Sequence, residues 1–182
     1  MTARPFSLRF IPIVFAVTFA VFALPATAQT MSAPPAGKAT QDYLQHAGMG
    51  DLFEVQSSKL ALDRTKSNDV KSFASMMIKD HTDSTKKLLD AAKSQKIDAA
   101  APAKLDDAHQ ATYDRLQKDD AAAFDADYMK AQVSGHEDAL TLHRAYAKDG
   151  ENAAIKKVSA DIVKTVEHHL DEAKKLSAKV SK

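Results

Sequence analysis

Glu54, His81, His136 and His169 are the residues through which this sequence offers chemistry. His81 sits within a run spaced by threes and fours: Val70, Phe73, Ala74, Met77, Thr85, Leu88 and Ala92. His169 sits in a second such run, with Ile155, Val158, Ile162, Val166, Ala173 and Leu176. His136 lies at the side of a third, formed by Phe124, Tyr128, Ala131, Gly135, Ala139, Leu142 and Tyr146. Glu54 shares a helical face with Tyr43, Ala47, Gly50, Ser58 and Ala61. A carboxylate among small and apolar residues is costly to bury unless it is paired, hydrogen-bonded or metal-bound. Three imidazoles and one carboxylate are a donor set for zinc, iron or copper. The competing reading is an inert polar layer that only fixes helix register.

The other histidines divide differently. His46 and His109 lie in polar settings, His168 points away from its apolar stripe, and His143 lies near the third stripe two turns beyond His136. Tyr128 and Tyr146 read as core aromatics, and Met76 and Met77 as packing residues. There is no Ser-His-Asp arrangement, Gly-rich phosphate loop or pair of catalytic carboxylates, so no reaction is named and the reading is of a non-enzymatic protein. A metal-dependent redox enzyme would need an open coordination position and an access path, and the sequence displays neither.

The stripes require helices. A first helix is expected over about 40–66 and a second from the Ser67-Asn68-Asp69 turn to about 95. A short helix over 103–118, opened by Pro102, follows in the crossover. A third long helix is expected over about 120–148, closed by Gly150, and a last one over about 152–179. No alternating strand pattern occurs. Two helical hairpins joined by a longer crossover imply an all-α, antiparallel four-helix bundle with a short extra helix. Glu54 stands 13 residues before Ser67 and His81 stands 14 after it, which puts them at one level of a hairpin. His136 stands 14 residues before Gly150 and His169 stands 19 after it. That five-residue offset is about 7–8 Å along the axis.

The N-terminus carries an address. Arg4 and Arg9 precede a nearly unbroken apolar run from Phe10 to Leu24, and Pro25 then leads into Ala26-Thr27-Ala28. This order predicts a secretory signal peptide over 1–28, a flexible lead-in over 29–39 and a domain over 40–179. The destination is periplasmic or secreted, with no transmembrane span after cleavage. There is no cysteine, so the domain must hold together by its core in an oxidising compartment. Removing 1–28 lowers Lys+Arg from 25 to 23 against 24 Asp+Glu, a charge of −1. A near-neutral domain has no general attraction to nucleic acid, and the remaining partner class is a protein or envelope component.

Several segments carry a family resemblance. They are Gly50-Asp-Leu-Phe-Glu54-Val, Val70 through Asp80-His81, Phe124 through Tyr128, Gln132 through His136, and His169-Leu170. In this order they resemble the domain of unknown function 4142 family over roughly 40–178. Its members are often labelled outer-membrane or exported proteins and are grouped with ferritin-like bundles. The resemblance implies a ferritin-like fold and export, and no activity. Di-iron ferritin-like proteins place a Glu three residues before each of two ligand histidines. Here those positions hold Ile78 and Val166, so a di-iron centre is not expected. A mononuclear site, or none, fits better; in a mononuclear site Asp80 or Glu137 would orient the histidines.

Overall fold

The computed structural model describes residues 38–181. The signal peptide expected over 1–28 and nearly all of the lead-in lie outside the described residues. Five helices account for the fold, and no strand occurs among the described residues: α1 (Lys38–Arg64), α2 (Asn68–Ser94), α3 (Asp107–Lys118), α4 (Phe124–Asp149) and α5 (Ala153–Val180). No helix among them is long and apolar enough to cross a membrane.

The helix starts follow from capping chemistry. The Ser67 side chain accepts the Val70 N–H, and the Asn152 side chain accepts those of Ala154 and Ile155. The crossover helix does not begin beside Pro102. It begins after Asp106, whose carboxylate accepts the His109 N–H, because an aspartate satisfies a free amide that proline cannot. Likewise, α4 starts at Phe124 rather than 120. Asp120 holds a turn there by accepting the N–H groups of Ala122 and Ala123.

Pairwise packing joins α1 to α2, α2 to α5, α5 to α4 and α4 to α1, while α3 lies against α1 and α4. Two apolar clusters fill the interior. One gathers Tyr43, Leu44, Leu88, Leu140, Ile155 and Ile162; the other gathers Phe73, Met77, Leu116, Phe124, Tyr128 and Met129. The crossover helix is pinned at its C-terminal end. Leu116 is fully buried there, and Arg64 donates to the carbonyls of Leu116, Gln117 and Asp119 while its guanidinium sits 4.8 Å from the Phe124 ring centre.

Gly150 closes α4 as expected, but not through a left-handed conformation, since its φ is −59°. What requires glycine is space: a Cβ there would lie 2.5 Å from the Tyr146 carbonyl oxygen and 2.6 Å from the Tyr146 ring. Gly150→Ala should therefore destabilise the fold by about 1–3 kcal/mol, the usual cost of forced overpacking, measured by urea unfolding. An unchanged midpoint would mean that the turn relaxes freely.

Candidate metal centre

The inward stripes bring three of the four expected residues together. One ring nitrogen from each of His81, His136 and His169 lies within 4.8 Å of the others. The ring centroids are 5.4–5.5 Å apart, and all three side chains are buried. The axial offset expected between His136 and His169 does not keep them apart. Helical side chains lean toward the N-terminus of their own helix. His169 thus leans toward the α4–α5 turn and His136 leans away from it, which closes the gap.

Each ring is held by one nitrogen. His81 Nδ1 donates to Asp51 Oδ1 at 2.8 Å, His136 Nδ1 donates to the Gln132 carbonyl at 2.8 Å, and His169 Nε2 donates to Asp80 Oδ2 at 3.1 Å. Carboxylates and carbonyls only accept, so these three nitrogens carry protons. The nitrogens left over are His81 Nε2, His136 Nε2 and His169 Nδ1, and all three are buried without a hydrogen-bond partner in the protein. Asp51 is itself fixed, because Thr85 donates to its second oxygen at 2.9 Å.

Glu54 stands beside this triad but outside the set of converging ligand atoms. Its Oε1 is 3.8 Å from His136 Nδ1, beyond hydrogen-bond distance, and its Oε2 is buried without a partner. Gly135 makes room for it, since a Cβ there would come within 3.0 Å of Glu54 Oε1. Asp80 contacts one of the three converging histidines, His169. Glu137 does not: it faces solvent, one residue past His136, and pairs with Lys174 at 2.9 Å. Asp51 is the residue sequence reasoning missed. It follows Tyr43 and Ala47 at four-residue steps and precedes Glu54 by three, so it fits the same stripe that was counted through Gly50.

Protonation follows the surroundings. Burial pushes His169 down to about 3 with help from the neighbouring imidazoles, against the pull of Asp80. Burial likewise lowers His136, opposed by Glu54. At His81 burial also acts to lower the pKa, but the bond to Asp51 and the charges of Asp51, Glu54 and Asp80 outweigh it, and the net shift is upward. Of the three rings, His81 is thus the one that holds a proton most readily.

The site is reached from outside. A cleft of about 900 Å³ is lined by residues of α1, α3 and α4 and reaches Asp51, Glu54, His81 and His136 at its floor. A smaller groove of about 140 Å³, lined by α2 and α5, reaches Asp80 and His169. His143, in the cleft wall, shares a 2.9 Å hydrogen bond with the Tyr43 hydroxyl, and its backbone carbonyl accepts from Ser159. Among the remaining histidines, His46 and His168 are exposed and His109 is half-buried.

Burial pushes His143 down to about 4. Above pH 6.5 the folded and unfolded chains leave this ring equally neutral. Between 6.5 and 4 only the unfolded chain takes up the proton, so stability falls as the pH falls, by up to about 3 kcal/mol, and levels off below. His143→Gln should flatten that acid limb in urea titrations across pH 7 to 4. Parallel limbs for the two proteins would contradict the assignment.

A family model described as "Domain of unknown function (DUF4142)" matches residues 25–176. No curated protein sequence matches the chain. Among solved structures, a DUF305 fragment from Deinococcus radiodurans aligns with a TM-score of 0.70 at 12% identity, covering 80% of this chain and 99% of that one. CopM aligns in its Ag-bound and Cu(I)-bound forms, each with a TM-score of 0.63 at 16% identity, covering 77% of this chain and 96% of CopM. At these identities the likeness is one of helical fold.

Proposed function

The chain belongs to the DUF4142 family, and we propose that it is an exported, non-enzymatic helical bundle that binds one transition-metal ion in the envelope. His81, His136 and His169 supply the imidazoles, and Glu54, whose Oε2 is buried without a partner, is the carboxylate left free to complete the set. The observation that carries this reading is the convergence of three histidines whose unpartnered nitrogens are lone pairs. A layer that only fixed helix register would pair those nitrogens with donors, because each buried acceptor left alone costs about 1–3 kcal/mol. A metal ion satisfies all three at once. Carboxylate–histidine–metal arrangements are how ligand imidazoles are ordinarily oriented, and Asp51 and Asp80 supply that second contact here.

Charge supports the same reading. Asp51, Glu54 and Asp80 surround the triad, and a divalent ion offsets most of that negative charge. Imidazole donors suit zinc, copper and iron, and the Ag-bound and Cu(I)-bound forms of the structural neighbour CopM favour copper among them. We read the long helices as an antiparallel, ferritin-like four-helix bundle. Paired positions support this: Tyr43 meets His143 and Ser58 meets Tyr128, while Asp80 meets His169 and Asp69 meets Lys179. The N-terminal address supports delivery to the periplasm or beyond, where the metal would be acquired.

Mature protein recovered from the periplasm without a tag should contain about one metal ion per chain by mass spectrometry. A hundredfold excess over Kd should raise Tm by roughly 5–10 °C, from about 2.7 kcal/mol of linkage. Replacing His81 and His169 together with Gln should abolish both effects. Metal-free protein whose Tm ignores added zinc, iron and copper would overturn the reading.

A further inference from the structure

Five of the seven histidines line one cleft: His46, His81, His109, His136 and His143. Two of them, His81 and His136, belong to the metal triad at its floor. His143 is committed to the Tyr43 hydroxyl. His46 and His109 are the two that remain accessible to solvent, one on α1 and the other on the crossover helix α3. Neither contributes to the apolar core, and the metal triad does not use either.

His109 is prepared rather than incidental. Its Nδ1 donates to Asp106 Oδ1 at 2.7 Å, the same carboxylate oxygen that caps α3 by accepting the His109 N–H at 2.9 Å. That bond leaves Nε2 as the lone-pair nitrogen of the neutral ring. The ring also rests against Phe53, with centroids 5.2 Å apart. This is the carboxylate–histidine arrangement found at the triad, repeated at the cleft wall. The segment that presents it is anchored by buried Leu116 and by the Arg64 contacts to the end of α3.

We propose that His46 and His109 form a capture step for the incoming metal ion, and that the cleft is the route by which it reaches His81 and His136. This rests on the metal-binding reading above. An ion leaving water for a buried site must shed its hydration shell, and staged exchange of waters for imidazoles lowers that barrier. The α2–α5 groove is a poorer route. It is about 140 Å³ against about 900 Å³ and presents His81 and His169 without an outer histidine. A capture step speeds passage in both directions and leaves the final equilibrium unchanged, since it alters the barrier and not the end states.

The test compares the full mature protein with its His46→Gln/His109→Gln variant. Glutamine is a polar, uncharged side chain of similar reach, so the substitution introduces no charge into the cleft. The probe is Cu(II), the tightest-binding divalent first-row ion for nitrogen and oxygen donors. Loading is followed by stopped-flow absorbance at one equivalent, extraction by excess chelator, and affinity by competition. An Asp83→Asn/Asp161→Asn variant at the rim of the other groove serves as the control.

Loading and extraction should both slow at least fivefold in the histidine variant, with Kd and stoichiometry unchanged and the control at the wild-type rate. Wild-type loading in the histidine variant overturns the capture step, as does slowing in the control alone. A weakened Kd with an unchanged loading rate also overturns it, because the two histidines would then be ligands of the bound state. If wild-type protein takes up no Cu(II), the metal-binding reading has itself failed.

Discussion

The arrangement of this protein depends on how three buried imidazoles spend their protons. Asp51, Asp80 and the Gln132 carbonyl each take one N–H, which turns the opposite face of every ring into an acceptor. Three acceptors converge in the interior with Glu54 beside them, and none of them receives a hydrogen bond from the protein. Burial lowers His136 and His169, while the bond to Asp51 and the nearby carboxylate charges raise His81 against its own burial, so His81 is the ring that holds a proton most readily. Two or three separate charges would repel one another.

The scaffold serves that constraint by delivering one histidine from each of α2, α4 and α5 while α1 brings two carboxylates. The apolar clusters on either side of the polar layer hold the helices at packing distance without any disulfide. Small residues matter at two places. Gly135 gives the Glu54 carboxylate room next to His136, and Gly150 lets the chain pass the Tyr146 ring on its way into α5. The crossover helix adds a wall to the cleft, and a single arginine, Arg64, ties its end to α1.

Helical periodicity made the three converging histidines legible because an α-helix repeats its inward face every three or four residues. A polar residue in phase with Val70, Met77 and Leu88, or with Ile155, Ile162 and Val166, had to lie inside. The same arithmetic was less able to choose between neighbours. Gly50 and Asp51 both fit the α1 stripe within one residue, and only packing decides that the aspartate reaches His81. Periodicity separated Asp80 from Glu137 no better, since each adjoins a histidine of the triad in sequence. The difference is tertiary: Asp80 borders α5 and finds His169, while Glu137 faces outward to Lys174. Pro102 and Asp106 both signal a helix entrance in the sequence, and α3 starts at the side chain able to accept an amide proton. Access was illegible, because the cleft is made by the crossover helix folding back on α1 and α4.

X-ray absorption at the metal edge, on tag-free mature protein loaded with one equivalent of Cu(II) or zinc(II), tests the central claim most directly. The account predicts three imidazole nitrogens in the first coordination shell at about 2.0–2.1 Å for zinc, with the remaining positions filled by oxygen. The same measurement on His81→Gln should lose one imidazole from that shell. A shell of oxygens alone, or an imidazole count that the His81 substitution leaves unchanged, would contradict it.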